Sequence, residues 1–169
     1  MVAGRAQTLM IEPDQQLDPR VKTLWRLSRA VRLAFFGLPF AAVIFVSLSA
    51  ADNSALGAAL AIGLIVFNIT MLIAWPALEY RYFRYAVREH DLLVQAGVVF
   101  RRWSAVPHNR IQHVDTRQGP LERALGLARL QIFTAAGVSA DGSIPGLDAA
   151  EAERLRDALS QKGGADDGV

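Results

Sequence analysis

Two long stretches without a charged residue dominate the hydrophobic pattern of the chain. The first covers residues 33–51 and the second residues 54–78, which are 19 and 25 residues. A helix rises about 1.5 Å per residue, and about 20 apolar residues cross a hydrocarbon core of about 30 Å. Each stretch is therefore predicted to be a transmembrane helix, and the short polar turn between them makes the pair a hairpin.

The basic residues around this hairpin are distributed asymmetrically. Six of them precede the first stretch, and Arg81, Arg84 and Arg88 follow the second, whereas the turn has none and carries Asp52. Positive charge marks the cytoplasmic side of a span. The pattern therefore predicts a multi-pass membrane protein with both termini in the cytoplasm.

The residues before the hairpin divide into two segments. Residues 1–18 have no sustained period and are predicted to be a flexible tail. Residues 19–32 alternate arginines with apolar residues, which indicates a basic amphipathic helix at the membrane surface. A simple positive flank that sets orientation is an equal alternative. At the other end of the chain, residues 163–169 are expected to be disordered.

Asn68 is the strongly polar side chain deep in the second stretch, and no charged residue accompanies it there. We expect it to form an interhelical hydrogen bond rather than part of a transport path. Four aromatic residues follow and are expected in the interfacial belt, namely Trp75, Tyr80, Tyr82 and Tyr85. The hairpin is thus predicted to be an anchor.

From residue 80 the hydrophobic period falls to about two, which indicates short strands. Strands are expected over residues 82–88, on both sides of a turn at Gly97, over 110–117 with a bulge, over 129–134 and at 143–145. The strand that follows Gly97 is expected to include Val98 and Phe100. Pro120 and Gly126 bracket a short helix, and Asp148 opens a final one, whose apolar side would be Ala152, Leu155, Ala158 and Leu159. Residues 80–162 are therefore predicted to be a small antiparallel α+β domain or partial barrel capped by a C-terminal helix.

Four short motifs in this part resemble a known family. They are VPHNRIQHV at 106–114, QGPLER at 118–123, LGLA at 125–128 and TAAG at 134–137. Together with the two spans, they resemble the bacterial pleckstrin-homology (PH) domain of YdbS-like membrane proteins. The resemblance implies a PH-like fold of strongly bent sheets closed by the last helix, and a location in the bacterial cytoplasmic (inner) membrane. It implies no catalytic residues, and the turn at 135–137 has one alanine more than the family pattern.

The composition excludes several kinds of chemistry. The chain has no cysteine, so disulfides, thiolate catalysis and cysteine metal sites are ruled out. His90, His108 and His113 lack metal-ligand spacing, and no phosphate loop or nucleophile motif occurs. The net charge of +2 does not indicate nucleic-acid binding. We expect no enzyme activity, no cofactor, no metal and no small-molecule substrate.

Five residues are candidates for an interaction surface. Arg101, Arg102 and Trp103 suit contact with anionic lipid, although Trp103 is as readily a core residue beside two solvated arginines. Arg110 and Gln112 share one face of a strand and suit a partner or an anionic headgroup. For this pair we favour hydrogen bonds to the backbone that fix the turn after Pro107.

The sequence thus favours a non-catalytic, membrane-anchored PH-like module that mediates protein–protein assembly at the cytoplasmic face. Its partners would be the lipid bilayer and another membrane protein or a second copy of the chain. The alternative is a module that binds anionic lipid at the membrane surface.

Overall fold

The computed structural model describes residues 13–134 and 142–164. They form two compact units. One unit combines the chain up to Val21 with the chain from Glu79 onward, and we call it the β domain; the other is Lys22–Leu78. The expected turn at 135–137 lies outside the described residues.

The second unit is a pair of helices. Helix α1 (Val21–Arg32) continues through a π-helical turn (Leu33–Gly37) into α2 (Leu38–Ala50), and α3 is Ser54–Tyr82. The stretch Val21–Ala50 and α3 are both long and apolar enough to cross a membrane. Asp52 turns the chain with a φ of 56°. Beyond it, a Cβ on Gly57 would lie 3.2 Å from the carbonyl oxygen of Phe45, so glycine lets the two helices approach closely.

The β domain contains two three-stranded antiparallel sheets. The first is β1 (Arg84–Val87), β2 (Asp91–Ala96) and β3 (Arg102–Pro107), and a 3-10 turn (His108–Arg110) leads to the second. The second sheet is β4 (Ile111–Arg117), β5 (Leu127–Thr134) and β6 (Gly142–Asp148), with helix α4 (Pro120–Ala124) between β4 and β5 and helix α5 (Ala149–Gly164) at the end. This order confirms the predicted fold class.

Helix α5 closes the core over the second sheet. Ala152 and Leu159 are fully buried, whereas Ala158 is exposed, so the predicted apolar side is wrong at that residue. Asp148 caps the helix by accepting a hydrogen bond from the Ala150 N–H at 3.0 Å. The helix extends to Gly164, two residues into the segment that was expected to be disordered. Residues 165–169 lie outside the described residues.

The segment just before α1 is part of the β domain, which corrects the expected flexible tail over residues 13–18. Gln15 pairs with Tyr85 of β1 through two backbone hydrogen bonds of 3.0 and 3.1 Å. Leu17 is 2% exposed and Val21 is fully buried. The open edge of β1 and two apolar side chains four residues apart therefore hold this segment in place.

Tyr85 is also placed differently from the prediction. Its ring is buried in the β domain and not in an interfacial belt, and its hydroxyl donates a hydrogen bond to Glu151 Oε1 at 3.0 Å. Burial and the neighbouring carboxylate raise the pKa of Tyr85. The pair ties β1 to the first turn of α5.

Arg20 connects this N-terminal segment to the end of β6 and to the residue that follows α4. Its guanidinium donates to Asp18 Oδ2 at 2.8 Å, to Asp148 Oδ2 at 2.7 Å and to the carbonyl oxygen of Leu125 at 3.1 Å. These hydrogen bonds hold the pKa of both carboxyl groups below their ordinary value of 3.8.

We expect Arg20→Gln to lower the thermal midpoint of the β domain at neutral pH, and the difference from the parent protein to shrink in acid. A depressed carboxyl pKa stabilises the folded state above the unfolded value of 3.8, and this contribution disappears as the pH falls through the lower folded-state pKa. Near-ultraviolet circular dichroism of the full chain in detergent measures the midpoint. Arg117→Gln, which loses a 3.8 Å pair with Asp115, is the matched control. A difference that stays unchanged as the pH falls far below 3.8 would contradict the assignment.

Candidate functional site

The loop between β2 and β3 carries the most exposed apolar side chain among the described residues of the β domain. Phe100 is 90% exposed and Val99 is 69% exposed. The prediction of a strand from Val98 to Phe100 is wrong, because these residues form the loop and β3 begins at Arg102.

Gly97 explains why the strand ends before Val98. Its φ is +105°, and a Cβ at this position would overlap the carbonyl oxygen of Phe100. Only glycine allows the backbone to close so tightly in this conformation. Val98, Val99 and Phe100 therefore lie outside the sheet, although valine and phenylalanine favour strands.

The loop continues into three further exposed residues. Arg101 and Arg102 form no ion pair among the described residues, and Trp103 is 54% exposed, so it is not a core residue. We use the term loop surface for Val99, Phe100, Arg101, Arg102 and Trp103. It joins apolar and cationic side chains without an acidic residue, which suits the interface of an anionic membrane.

The loop surface lies beside the end of helix α3. The guanidinium carbon of Arg101 is 5.2 Å from the centre of the Tyr82 ring, a distance suited to a cation–π interaction. Tyr82 is the last residue of α3, and it lies four positions after Leu78, where the apolar stretch ends. At about 1.5 Å per helical residue, this is about 6 Å along the helix.

A second exposed set lies where the 3-10 turn enters β4. Arg110, Gln112 and His113 are exposed, and the ring of His113 stacks on half-buried Phe133 with centroids 4.3 Å apart. A bulge between Ile111 and His113, as predicted for this strand, lets both Gln112 and His113 face outward. We call these four residues the distal surface.

The structure does not show the backbone hydrogen bonds that were favoured for Arg110 and Gln112. Within the described residues neither side chain forms a hydrogen bond or an ion pair. His108, which the sequence analysis considered only as a metal ligand, fixes this turn instead. It is 5% exposed, its backbone N–H donates to His90 O at 3.0 Å and its ring Nε2 donates to Arg88 O at 3.0 Å.

The five candidate residues therefore do not form one site. In the β2–β3 pairing, Ala96 faces Arg102 at one end and Asp91 faces Pro107 at the other. Arg110 and Gln112 follow Pro107, so the four strand residues 104–107, or about 13 Å of strand, lie between them and the loop surface. One surface lies next to the end of α3 and the other at the opposite end of the first sheet.

Asn68 differs from its prediction as well. Its side-chain amide donates to Leu64 O at 2.9 Å in its own helix, so the described bond is intrahelical and not interhelical. Among the described residues, no group of three or more His, Asp or Glu side chains is placed to hold a metal ion.

Comparison with known proteins agrees with the architecture. The family model of the bacterial PH domain matches residues 33–163. The chain is 37% identical over 154 residues to the UPF0699 transmembrane protein YdbS of Bacillus subtilis (strain 168), covering 89% of this chain and 92% of that protein. It is 27% identical over 92 residues to the UPF0699 transmembrane protein YdbT of the same organism, covering 54% of this chain and 19% of YdbT. No solved structure matches the chain.

Proposed function

The chain belongs to the bacterial PH domain family, and from that premise we propose that it is a non-catalytic, membrane-anchored module for protein–protein assembly at the cytoplasmic face of the inner membrane. The six basic residues before the first span support this orientation. The partner is a second copy of the chain or another membrane protein, and it binds the distal surface.

The distal surface is the observation that carries this proposal. It presents an arginine, an amide and a histidine–phenylalanine stack, and no residue within 13–134 and 142–164 bonds the side chain of Arg110 or Gln112. Arginine and aromatic side chains dominate the binding energy of protein interfaces. The partial match to the larger YdbT also supports a module that serves in more than one membrane protein.

Lipid contact by the loop surface is a second candidate function, and the 90% exposure of Phe100 favours it. Phe100 and Val99 would enter the headgroup region while Arg101 and Arg102 bind anionic headgroups, each contributing about 1 kcal/mol. The stack of Arg101 on Tyr82 keeps the loop beside the end of α3.

One cysteine series tests both candidates, because the chain has no native cysteine. Val99→Cys, Gln112→Cys and Ala124→Cys are labelled with a thiol-specific photocrosslinker on the full-length protein. Ala124 is exposed on α4 and belongs to neither surface. In host membranes we expect a protein adduct of defined mass at position 112. In vesicles we expect lipid adducts at position 99, and neither product at position 124.

Charge reversal and charge removal sharpen this test. Arg110→Glu should abolish the protein adduct at position 112 without changing the lipid adduct at position 99. Arg101→Gln/Arg102→Gln should reduce the lipid adduct severalfold in phosphatidylglycerol vesicles and little in phosphatidylcholine. Equal protein adducts at positions 112 and 124, together with a monomer in mild detergent, would contradict the assembly proposal.

A further inference from the structure

We propose that the helix pair binds one anionic phospholipid in a groove between α1–α2 and α3. The groove has a volume of about 640 Å³, and its walls include Phe36, Phe40, Leu64 and Leu72. On the first helix it runs from Arg29 to Phe40, and the apolar part from Leu33 to Phe40 covers about 10 Å of helix. This is the size of a ligand site rather than of a packing defect.

Charge is confined to one end of the groove and has one sign. Arg29 and Arg32 line that end, immediately before the apolar stretch begins at residue 33, and no acidic residue lines the groove. Arg32 uses its Nε to donate to Ser28 O at 3.3 Å, which leaves its two terminal nitrogens directed to no acidic side chain of the described residues. Two guanidinium groups at the boundary between water and hydrocarbon match a lipid phosphate.

Asn68 gives the groove a polar group part-way along its length. One of its amide hydrogens bonds Leu64 O, and no described residue bonds its oxygen. The remaining N–H suits an ester carbonyl oxygen of a lipid whose phosphate lies on the arginines. Asn68 would then bind lipid with the amide hydrogen that its intrahelical bond to Leu64 leaves available.

The π-helical turn at Leu33–Gly37 coincides with the wall of the groove. Leu33, Phe36 and Gly37 all belong to it and all line the groove. Such turns are rare and occur frequently at functional sites, since they displace side chains from the regular helical face. The apolar walls favour a lipid over a free phosphate ion, because the walls have no role in binding an ion.

Native mass spectrometry of the full-length, delipidated protein tests the assignment. We expect phosphatidylglycerol to be retained about tenfold more tightly than phosphatidylcholine. Arg29→Gln/Arg32→Gln should lower the phosphatidylglycerol affinity about tenfold or more, and Arg29→Lys/Arg32→Lys should restore most of it. Arg26→Gln removes the same charge from the same helix outside the groove and should have little effect.

A variant that fills the groove without changing charge separates the remaining outcomes. Met71→Trp should weaken phosphatidylglycerol binding while the oligomeric state stays the same. Equal binding of the two lipids, an equal loss in Arg26→Gln, or displacement of the lipid by inorganic phosphate would overturn the proposal. A change in dimer content with unchanged lipid retention would assign the groove to a second copy of the chain, and would equally overturn it.

Discussion

Gly146→Ala is expected to destabilise the β domain by about 2–5 kcal/mol. Gly146 has a φ of +64°, which costs a residue with a side chain about 1–2 kcal/mol. A Cβ would lie 2.6 Å from the Cβ of Val21 and closer still to its Cγ2, and Val21 is fully buried. Overpacking of this kind costs about 1–3 kcal/mol more. Hydrogen exchange of β5 and β6 amides in the full-length protein measures the change.

The control for this substitution is Gly63→Ala, where a Cβ would meet nothing within 4 Å. It should leave the exchange of the β domain unchanged. Val21→Ala in the Gly146→Ala background should cost less than the sum of the two single changes, because it removes the Cγ2 that is overlapped. Additive effects would show that the N-terminal segment is not packed on Gly146 in solution.

The close contact between Val21 and Gly146 belongs to the part of the fold that the sequence did not predict. The backbone of Asp18 donates to Gly146 O at 3.1 Å, which joins residues far apart in the chain. A hydrophobic period reports local structure, and a segment as short as residues 13–18 shows no period of its own. This segment pairs with the free edge of β1 and packs against Gly146 of β6. Both binding surfaces exist only after the sheets have formed.

The elements predicted from strong local patterns were confirmed. The two apolar stretches, the bulge after Ile111, the short helix from Pro120 and the capped final helix all follow from residues within a few positions of each other. The candidate site was predicted less well, because exposure depends on tertiary contacts. Val98, Val99 and Phe100 have high strand propensity, yet the backbone at Gly97 turns them out of the sheet.

The separation of the two surfaces also required the structure. Arg101 and Arg110 are nine residues apart in sequence, which left open whether they share a face. The register of β2 with β3 places them at opposite ends of one strand. Two separate surfaces allow a membrane-bound module to contact lipid and a protein partner at the same time. On a single surface, lipid and the protein partner would compete for the same residues.

Gly97→Ala is expected to displace the loop surface and to destabilise the β2–β3 hairpin by about 2–4 kcal/mol. An alanine at a φ of +105° is in a sparsely populated conformation that costs about 1–3 kcal/mol. In addition, its Cβ would overlap the carbonyl oxygen of Phe100 and lie 3.0 Å from the carbonyl carbon. Backbone atoms cannot rotate away as a side chain can, so the loop must open and Phe100 must leave its position.

Two measurements detect the displacement of the loop surface. Hydrogen exchange of β2 and β3 amides reports the loss of stability, and a polarity-sensitive label on Val99→Cys reports whether the loop still meets lipid. We expect faster exchange and a shift of the label toward an aqueous environment. Gly119→Ala is the matched control, because the nearest atom to its Cβ would be the flexible carboxylate end of Glu122 at 3.2 Å. If Gly97→Ala leaves the label in a lipid environment, then the anchor alone brings the loop to the membrane, and the conformation fixed by Gly97 has no part in lipid contact.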